Sequence, residues 1–586
     1  MDTFTKMETN SFSDKEEYEI RSSKSTDCGS NRNRAKLFLV VIISFVIAAI
    51  IVLIVVVTRA ERPDSNSSIG GDEDACTDVS IIGAGLAGSY ISWKFRNSSK
   101  KVHLYEMRER LGGRLLDTNF MPYINETIPV LSNFINPERD TRLNSLINEF
   151  GLKINKLTER KVFYYLRNHL KSEKNRNNGN LPYFFDEDEK GLSPESLQKY
   201  YIEQILGHSL NISNVSSLCL LKETDRKVLL SSDFSNGLEG YASSEGINCL
   251  LDTLGVNAPN PTSSLGYLGE YLAREFTDSH QLDKADNLAE LLVKDFKKLS
   301  TFYSHKLEQI EKKGDIFRLK FTLTANENGQ LKKQKLSFAS CTKRLILSTP
   351  KSSIEDIEWK GIKDDKLFKE TMNSLKTREI TTIHLIFNET IWSDKFSWIT
   401  TDLPLQRISQ IPFIRSFNMP VLDHINSKEN SSSSHLNNNS TTAPPSGNYQ
   451  TPQPVQSDEK LYLLSIDSHE KFFTYWESLK TDDELLNHIK IHLSRIFSVD
   501  RNAIPDPLYM RRATSGSKFP FYSNKYLWNK KVDWCHIRKA MFRPVSHEQI
   551  FIVNDSFDTV QNQQSLETLL KNADDVLETY FSDFLT

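Results

Sequence analysis

The sequence DVSIIGAGLAGSY at residues 78–90 decides the fold. Its apolar start predicts a short strand, and the spacing of Gly83, Gly85 and Gly88 predicts a tight turn into a helix. In such a turn the first glycine permits the bend, the second lets the backbone approach a diphosphate, and the third lets the helix pack against the strand. The N–H groups at the start of the helix then bind the anion. This stretch therefore predicts a nucleotide-binding turn.

The next segment supplies the acidic residue that such a site requires. Residues 101–105 (KVHLY) predict a second strand, and Glu106 follows it about 20 residues after the glycines. A carboxylate in this position accepts hydrogen bonds from ribose hydroxyl groups. The combination favours a Rossmann-type dinucleotide site over an accidental glycine-rich turn.

A second glycine pair follows directly, in the sequence EMRERLGGR at residues 106–114. It predicts another close approach of the backbone, with a cation near the phosphates. The stretch resembles the flavin amine oxidases, the family of monoamine oxidases and L-amino acid oxidases, in which E-x-x-x-R-x-G-G-R helps to bind FAD. The resemblance implies FAD rather than NAD as the cofactor. The matching residues are Glu106, Arg110, Gly112, Gly113 and Arg114.

The resemblance continues at intervals over most of residues 78–586. Residues 306–310 and 317–321 resemble the family's strand pair, in which the backbone near Leu307 would meet the adenine. Residues 344–350 resemble the strand that returns the chain to the Rossmann sheet. Two further stretches, 400–404 and 543–557, are similar to secreted L-amino acid oxidases.

The family resemblance implies a mixed α/β (α+β) fold. We expect a Rossmann-type FAD-binding domain assembled from separated segments, interwoven with a substrate domain. The FAD-binding segments are predicted at 77–130, 241–350 and 536–586. The substrate segments are predicted at 131–240 and 351–535. A Ser-, Asn- and Pro-rich stretch at 423–459 has almost nothing to bury and predicts a solvated insertion.

The resemblance also implies a reaction and positions that serve it. The family transfers a hydride from an amine-bearing carbon to flavin, and O2 then reoxidises the flavin and yields hydrogen peroxide. A family lysine that holds a water near the flavin is replaced here by Thr382, which cannot donate three hydrogen bonds from a long stem. The resemblance implies a small amine or amino acid as the substrate. Because the family lysine is replaced, the sequence identifies no catalytic residue.

Three other family contacts differ. Asn554 and Asp555 stand where the family has Gly-Glu, whose carboxylate binds the flavin side chain, and Asp555 keeps the charge with a shorter reach. Gln564 and Ser565 replace a Gly-Trp that faces the flavin ring. At residues 131–133 the sequence Leu-Ser-Asn replaces a stretch that precedes a family arginine, and that arginine is missing. The alternative to an enzyme is thus an FAD-binding surface or luminal protein without turnover.

Other candidate residues favour packing over chemistry. His384, on a strand predicted at 381–387, could act as a base, but a core histidine is the favoured interpretation. An aromatic stretch could line a substrate cavity, although ordinary packing is favoured. No cysteine lies in a flavin-attachment motif near residues 511–530, so FAD is expected to bind noncovalently. The aromatic residues are Tyr522, Tyr526, Trp528 and Trp534.

The apolar run from Leu37 to Val57, broken only by Ser44, is long enough to cross a bilayer. We interpret residues 37–58 as a transmembrane helix, 1–36 as a disordered cytosolic tail and 59–76 as a stalk. A cleaved signal peptide is the alternative, but the run exceeds its usual apolar length and no cleavage pattern follows.

The orientation follows from charge and from glycosylation sequons. Arg32, Arg34 and Lys36 precede the run, which weakly favours a cytosolic N-terminus. Every Asn-x-Ser/Thr sequon follows it. The sequence therefore predicts a type II membrane glycoprotein whose large domain is extracellular or in the secretory lumen. The sequons begin at Asn66, Asn97, Asn125, Asn211, Asn214, Asn388, Asn430, Asn438, Asn439 and Asn554.

Composition limits the remaining partners. The 586 residues include 73 basic and 76 acidic side chains, for a net charge of −3, so bulk electrostatics give no reason to expect nucleic acid. The cysteines show no CxxC or Cys/His spacing, so no metal site is predicted. Beyond the apolar run, one or two disulfides are compatible with an oxidising compartment, but the pairing cannot be read from the sequence.

Overall fold

A computed structural model describes the chain from Cys76 to Leu585, with gaps. The predicted tail, apolar run and stalk up to residue 75 lie outside the described residues. None of the helices in the described part of the chain is both long and apolar enough to span a membrane. The gaps are 116, 120–126, 130–133, 157–160, 173–180, 210–220, 232–236, 255–279, 283–285, 295, 328–329, 360, 363–364, 378, 390–391, 393–395, 420–454, 516–525, 529–533 and 559–564.

The glycine turn joins a buried strand to a buried helix. The strand is Thr77–Ile82 and the helix is Leu86–Lys94. Val79, Ile81 and Ile91 are fully buried, which explains why this stretch is apolar without alternation. Five parallel strands lie side by side around it, in the order Ser300–Phe302, Val102–Tyr105, Thr77–Ile82, Gln330–Leu347 and Ile550–Ile552.

An antiparallel meander extends this parallel group. Strand Gln330–Leu347 pairs through its first part with Ile316–Glu327, which in turn pairs with His305–Lys313. Glu358–Trp359 lies parallel to His305–Lys313 at the edge. We call these eight strands the nucleotide sheet. The strands predicted at 306–310 and 317–321 therefore belong to it.

A second sheet of seven strands has one apolar, buried face and one polar face. Ile383, Leu385 and Ile466 are fully buried and pack on helix Asp482–Phe497. That helix begins with a capping box in which Thr481 and Glu484 satisfy each other's backbone N–H groups. The strand order is Tyr509–Ser515, Ile380–Phe387, Val455–His469, Arg407–Met419, Trp398–Thr401, Val162–Leu166 and His169–Ser172.

The start of strand Val455–His469 corrects one prediction. Residues 455–459 were expected in the solvated insertion, but their backbone pairs with residues 415–419 of the neighbouring strand. Backbone pairing needs no apolar side chains, which is why composition missed it. The rest of the predicted insertion that follows Met419 lies outside the described residues.

The two sheets alternate along the chain. Strands of the nucleotide sheet come from residues 77–105, 300–359 and 550–552, and strands of the second sheet from 162–172 and 380–515. Helix Ser244–Leu254 packs with strand Val162–Leu166, although the sequence assigned it to an FAD-binding segment. Glu358–Trp359 joins the nucleotide sheet from a predicted substrate segment. The domain boundaries themselves stay a prediction.

Capping residues explain where several helices begin. Ser193 accepts a hydrogen bond from the Ser196 N–H and is followed by Pro194 at the start of the helix. The remaining elements cover the sheets and connect them. The other helices are Thr141–Glu149, Pro194–Leu206, Glu223–Ser231, Asp286–Lys294, Lys351–Asp356, Lys366–Ser374, Glu470–Phe472, Phe473–Ser478, Arg501–Ala503, Trp534–Phe542, Leu566–Tyr580 and Ser582–Leu585, and the small sheets are formed by Asp117–Asn119, Thr127–Pro129, Phe134–Ile135, Ile154–Lys156, His280–Leu282, Leu375–Thr377 and Tyr526–Trp528.

A disulfide joins Cys76, directly before strand Thr77–Ile82, to Cys341, which lies within strand Gln330–Leu347 just before its parallel pairing begins. The register pairs Thr77 with Thr342, so the preceding residues face each other although they are 265 positions apart. The sequence left this pairing open. The disulfide links the first described residue to the centre of the nucleotide sheet.

Candidate functional site

A cleft lies at the carboxyl ends of the parallel strands of the nucleotide sheet. It encloses about 1310 Å³, counted with the space that is open to solvent. Parallel sheets commonly bind ligands at this edge. Two motifs separated in sequence thus meet in one site. The predicted residues that line the cleft are Gly83, Gly85, Glu106, Gly112, Gly113, Arg114, Leu307 and Asp555.

The first glycine turn leaves no room for side chains at two of its positions. Gly83 has φ +99°, and a Cβ there would lie 2.5 Å from the Ser348 carbonyl oxygen. A Cβ on Gly88 would lie 1.9 Å from the Gly83 carbonyl oxygen. Gly88 therefore packs the helix against the turn and does not line the cleft. The first and third glycines of the motif are required by the fold itself.

The second glycine turn packs directly on the first. Gly112 has φ +91°, and its N–H donates to the Ala84 carbonyl oxygen at 2.8 Å. A Cβ on Gly113 would lie 3.0 Å from the Gly85 Cα. A Cβ on Gly85 would meet only the Gly113 Cα, at 3.9 Å. Gly85 is thus the position where a side chain would enter the cleft without disturbing the protein.

Glu106 is buried beneath the two turns. Its carboxylate accepts hydrogen bonds from the Ala84 N–H at 2.9 Å and from the Arg108 N–H at 3.0 Å. Burial raises the pKa of Glu106, and these two donors act in the opposite direction. The carboxylate also lines the cleft, so it can accept further hydrogen bonds from a ligand there.

Arg110 matches the FAD-binding motif, which predicts that it lies at the cofactor. It does not line the cleft. Its guanidinium donates to the carbonyl oxygens of Leu111 at 2.9 Å and Gly113 at 2.7 Å. It therefore holds the second glycine turn in shape. Arg108 lines the cleft instead, and its place two residues after Glu106 is the signal that could have identified it.

An ion pair closes one side of the cleft. Arg114 Nη1 lies 2.7 Å from Asp555 Oδ2, and the two side chains are 22% and 8% exposed. Arg114, the predicted cation, and Asp555, the predicted shorter acid, thus form an ion pair with each other at the cleft. Each has its charge compensated while it faces the space that a ligand would fill.

Leu307 lies at an irregularity in the meander. The pairing register shifts between Leu307 and Gln309, so the backbone bulges where the strand reaches the cleft. Bulges of this kind redirect backbone groups and are common beside binding sites. Lys306 also lines the cleft and was not identified from the sequence.

Asn554 folds back on its own loop. Its side-chain amide donates to the Thr349 carbonyl oxygen at 2.8 Å and accepts from the Ser556 N–H at 3.0 Å. Asn554 is only 7% exposed, so this sequon is a poor acceptor for a glycan in the folded protein. Its use as support for glycosylation is therefore corrected. Asn97 and Asn388 are exposed.

Thr382 and His384 lie on the second sheet and do not line the cleft. The Thr382 hydroxyl donates to Asp467 Oδ1 at 2.7 Å on the neighbouring strand. The cross-strand register places Arg407, Asp467 and Thr382 in one row on the polar face of the sheet. His384 is 4% exposed, which fits the interpretation as a core residue.

Ser565 caps the helix that ends the fold. Its hydroxyl accepts a hydrogen bond from the Thr568 N–H at the start of helix Leu566–Tyr580. Leu566 and Leu569 of this helix line the cleft. The remaining predicted differences cannot be placed. Residues 131–133, Gln564 and Tyr522 lie outside the described residues, as do the side chains of Tyr526, Trp528 and Trp534.

Taken together, the residues of the cleft fit a dinucleotide. Two glycine turns leave backbone space that a Cβ would fill, and the start of helix Leu86–Lys94 offers N–H groups to a diphosphate. Glu106 lines the cleft with a hydrogen-bond acceptor, and Arg114 lines it with a cation paired to Asp555.

Comparison with known proteins gives a consistent result. The family model for flavin containing amine oxidoreductases matches residues 96–527. Aplysianin-A from Aplysia kurodai is 23% identical over 537 residues, which cover 87% of this chain and 92% of that protein. Achacin from Lissachatina fulica is 22% identical over 557 residues, which cover 89% and 95%. Cyclohexylamine oxidase from Brevibacterium oxydans superposes with a TM-score of 0.58 over 86% of this chain and 99% of that chain, at 13% identity.

Proposed function

Because the chain belongs to the family of flavin containing amine oxidoreductases, we propose that it is an FAD-dependent oxidase of a small amine or amino acid. In this reaction the substrate would lose a hydride from its amine-bearing carbon and a proton from its nitrogen, which leaves an imine that water hydrolyses. O2 would take up the two electrons with two protons and leave as hydrogen peroxide. When bound, FAD supplies the redox chemistry, and the protein supplies position and charge.

The double glycine turn carries this proposal. Gly85 and Gly113 let the backbone approach the diphosphate, and helix Leu86–Lys94 presents its N–H groups to it. Glu106 would accept hydrogen bonds from ribose hydroxyl groups, Arg114 would neutralise phosphate charge, and Asp555 would accept hydrogen bonds from the flavin side chain. The backbone near Leu307 meets the adenine. Supporting this assignment, all six residues line one cleft.

FAD is held noncovalently in this proposal. The experiment is to precipitate the purified protein with acid and to measure flavin absorbance in the supernatant. Release of the flavin supports noncovalent binding. Flavin that stays in the pellet contradicts it.

A second function is favoured by one observation. The Thr382 hydroxyl, at the position of the family lysine, is bonded to Asp467 and brings no cation to the site. A protein that binds FAD without turnover would tolerate this change. Such a protein would show a flavin spectrum but no peroxide with any substrate.

The deciding experiment compares peroxide release with flavin content across a panel of amines and amino acids. Gly85→Asp places a carboxylate where the diphosphate binds and should abolish both signals. Gly240→Ala is the control, because a Cβ there meets nothing within 4 Å. Peroxide from the wild type that disappears with Gly85→Asp supports the enzyme. A yellow protein without peroxide supports the binding protein, and a colourless protein that takes up no added FAD refutes both.

We also propose that the large domain is exoplasmic, in a type II membrane protein anchored in the lipid bilayer by Leu37 to Val57. The Cys76–Cys341 disulfide supports an oxidising compartment, and the exposed side chains of Asn97 and Asn388 support access to glycosylation. Glycosidase treatment of the cell-expressed protein should lower its apparent mass. Extraction into the soluble fraction by alkaline carbonate would contradict the anchor.

A further inference from the structure

We propose that Asn572 is a positioning residue for the flavin site. It fixes the loop 554–558 so that the Asp555 carboxylate is held at the cleft beside Arg114. The inference rests on the proposed function, because it assigns Asp555 to a flavin contact. It concerns a residue of the last long helix that lies outside the cleft and in neither of the glycine motifs.

Asn572 connects the helix Leu566–Tyr580 to the loop. It is 1% exposed, and its side-chain N–H donates to the Asn554 carbonyl oxygen at 2.9 Å. Its side-chain oxygen accepts from Arg538 Nη2 at 2.5 Å. A carbonyl partner on one side and a guanidinium on the other fix the orientation of the amide. Both polar ends of a buried side chain are therefore satisfied by defined partners.

Arg538 strengthens the same connection from the other end of the loop. Its guanidinium lies 3.1 Å from Asp558 Oδ2 and 3.2 Å from Asp575 Oδ2. The Asp558 N–H donates to the Asp555 carbonyl oxygen at 3.1 Å and closes the turn. Arg538 thus holds the loop through Asp558 and the helix through Asp575 and Asn572.

The residues on each side of Asp555 are also bound to the connection between strand Gln330–Leu347 and helix Lys351–Asp356. Asn554 donates to the Thr349 carbonyl oxygen, and the Ser556 hydroxyl accepts from the Lys351 N–H at 3.1 Å. Asn554, Asp555 and Ser556 are 7%, 6% and 2% exposed. The backbone of Asp555 is therefore held on both flanks within the protein interior.

We call the contacts of Asn572 and Arg538 with the loop 554–558 the clamp. The clamp matters because the side chain of Asp555 is short. An aspartate has one methylene between backbone and carboxylate, so the position of its charge follows the position of its backbone closely. Contacts at a functional site tolerate displacements of only about 0.5 Å. A loop released from Asn572 moves the carboxylate relative to Arg114 and weakens the site without removing any residue that lines it.

The test measures FAD affinity of the full-length apoprotein by quenching of flavin fluorescence. Asn572→Asp keeps the volume and the acceptor for Arg538 but removes the donor to Asn554. We expect a dissociation constant about tenfold higher, the effect of one lost hydrogen bond of about 1.4 kcal/mol. Lys571→Ser, exposed on the same helix, is the control and should bind as the wild type does.

Repeating the measurement in the Asp555→Asn variant distinguishes a positioning role of Asn572 from a purely structural one. Asp555→Asn should weaken FAD binding by itself, and adding Asn572→Asp to it should change the affinity by less than about twofold, since the clamp acts through that carboxylate. Effects that multiply instead overturn the inference. A lower melting temperature with wild-type affinity also overturns it.

The failures of the two proposals are distinguishable. A wild type that binds no FAD refutes the proposed function. A wild type that binds FAD while Asn572→Asp binds equally well refutes only the clamp. If circular dichroism shows that Asn572→Asp does not fold, Asn572→Ser takes its place, because a small hydroxyl adds no buried charge. Equal affinity of that variant and the wild type again refutes the clamp.

Discussion

Gly85→Ala separates binding of the diphosphate from folding of the protein. Gly85 has φ −70° and ψ −176°, which alanine adopts without strain. The nearest atom to the new methyl group is the Gly113 Cα at 3.9 Å, an ordinary contact. Alanine is a weaker N-cap by about 0.5–1 kcal/mol, and lower entropy of the unfolded chain offsets about 0.4–1 kcal/mol. The apoprotein should therefore unfold at nearly the wild-type temperature.

FAD affinity responds differently, because the methyl group enters the space where the diphosphate meets the helix. Moving the diphosphate away costs at least one charge-assisted hydrogen bond, about 1.5–3 kcal/mol. This corresponds to a dissociation constant about 10- to 150-fold higher. Fluorescence titration of the apoprotein with FAD measures the affinity, and calorimetry measures stability, with Gly240→Ala as the control. Wild-type affinity in Gly85→Ala would show that no diphosphate rests against this turn.

Three further substitutions probe other parts of the molecule. Gly88→Ala should prevent stable folding, because the methyl group would lie 1.9 Å from the Gly83 carbonyl oxygen; soluble, FAD-binding protein would contradict this. Thr382→Val should lower the free energy of unfolding by about 1 kcal/mol through the lost bond to Asp467 and leave FAD affinity unchanged, as titration can check. Burial lowers the pKa of His492 to about 4, below the ordinary 6.5, so the unfolded chain binds more protons between these values. Stability should therefore rise with pH across that window, and His492→Gln should flatten the rise in denaturant titrations.

Short-range patterns made the nucleotide site predictable. The turn at Gly83 and the acid at Glu106 depend on local spacing, since each glycine is required by atoms a few residues away or on an adjacent strand. The mixed fold and the strands around Leu307 were implied by the resemblance to the flavin amine oxidases and not by local spacing. The family model matches residues 96–527, which include Glu106 and these strands.

Contacts made by the tertiary structure were not predictable. Arg110 matches the family motif, yet only the folded loop shows that its guanidinium binds carbonyl oxygens. Asn554 stands at a family glycine position, and its partner Thr349 is 205 residues away. The role of Asn572 is equally hidden, because it depends on Arg538 and on a loop from another element.

The disulfide between Cys76 and the interior of strand Gln330–Leu347 has a mechanical consequence. A force applied to the backbone at Cys76 is shared with Cys341 through the disulfide and is therefore divided between two neighbouring strands of the nucleotide sheet. The cleft lies at the opposite ends of these strands, which are their carboxyl ends. Force applied at Cys76 is therefore borne by two strands before it can distort the cleft. We expect flavin binding to be insensitive to such force while the Cys76–Cys341 disulfide is intact.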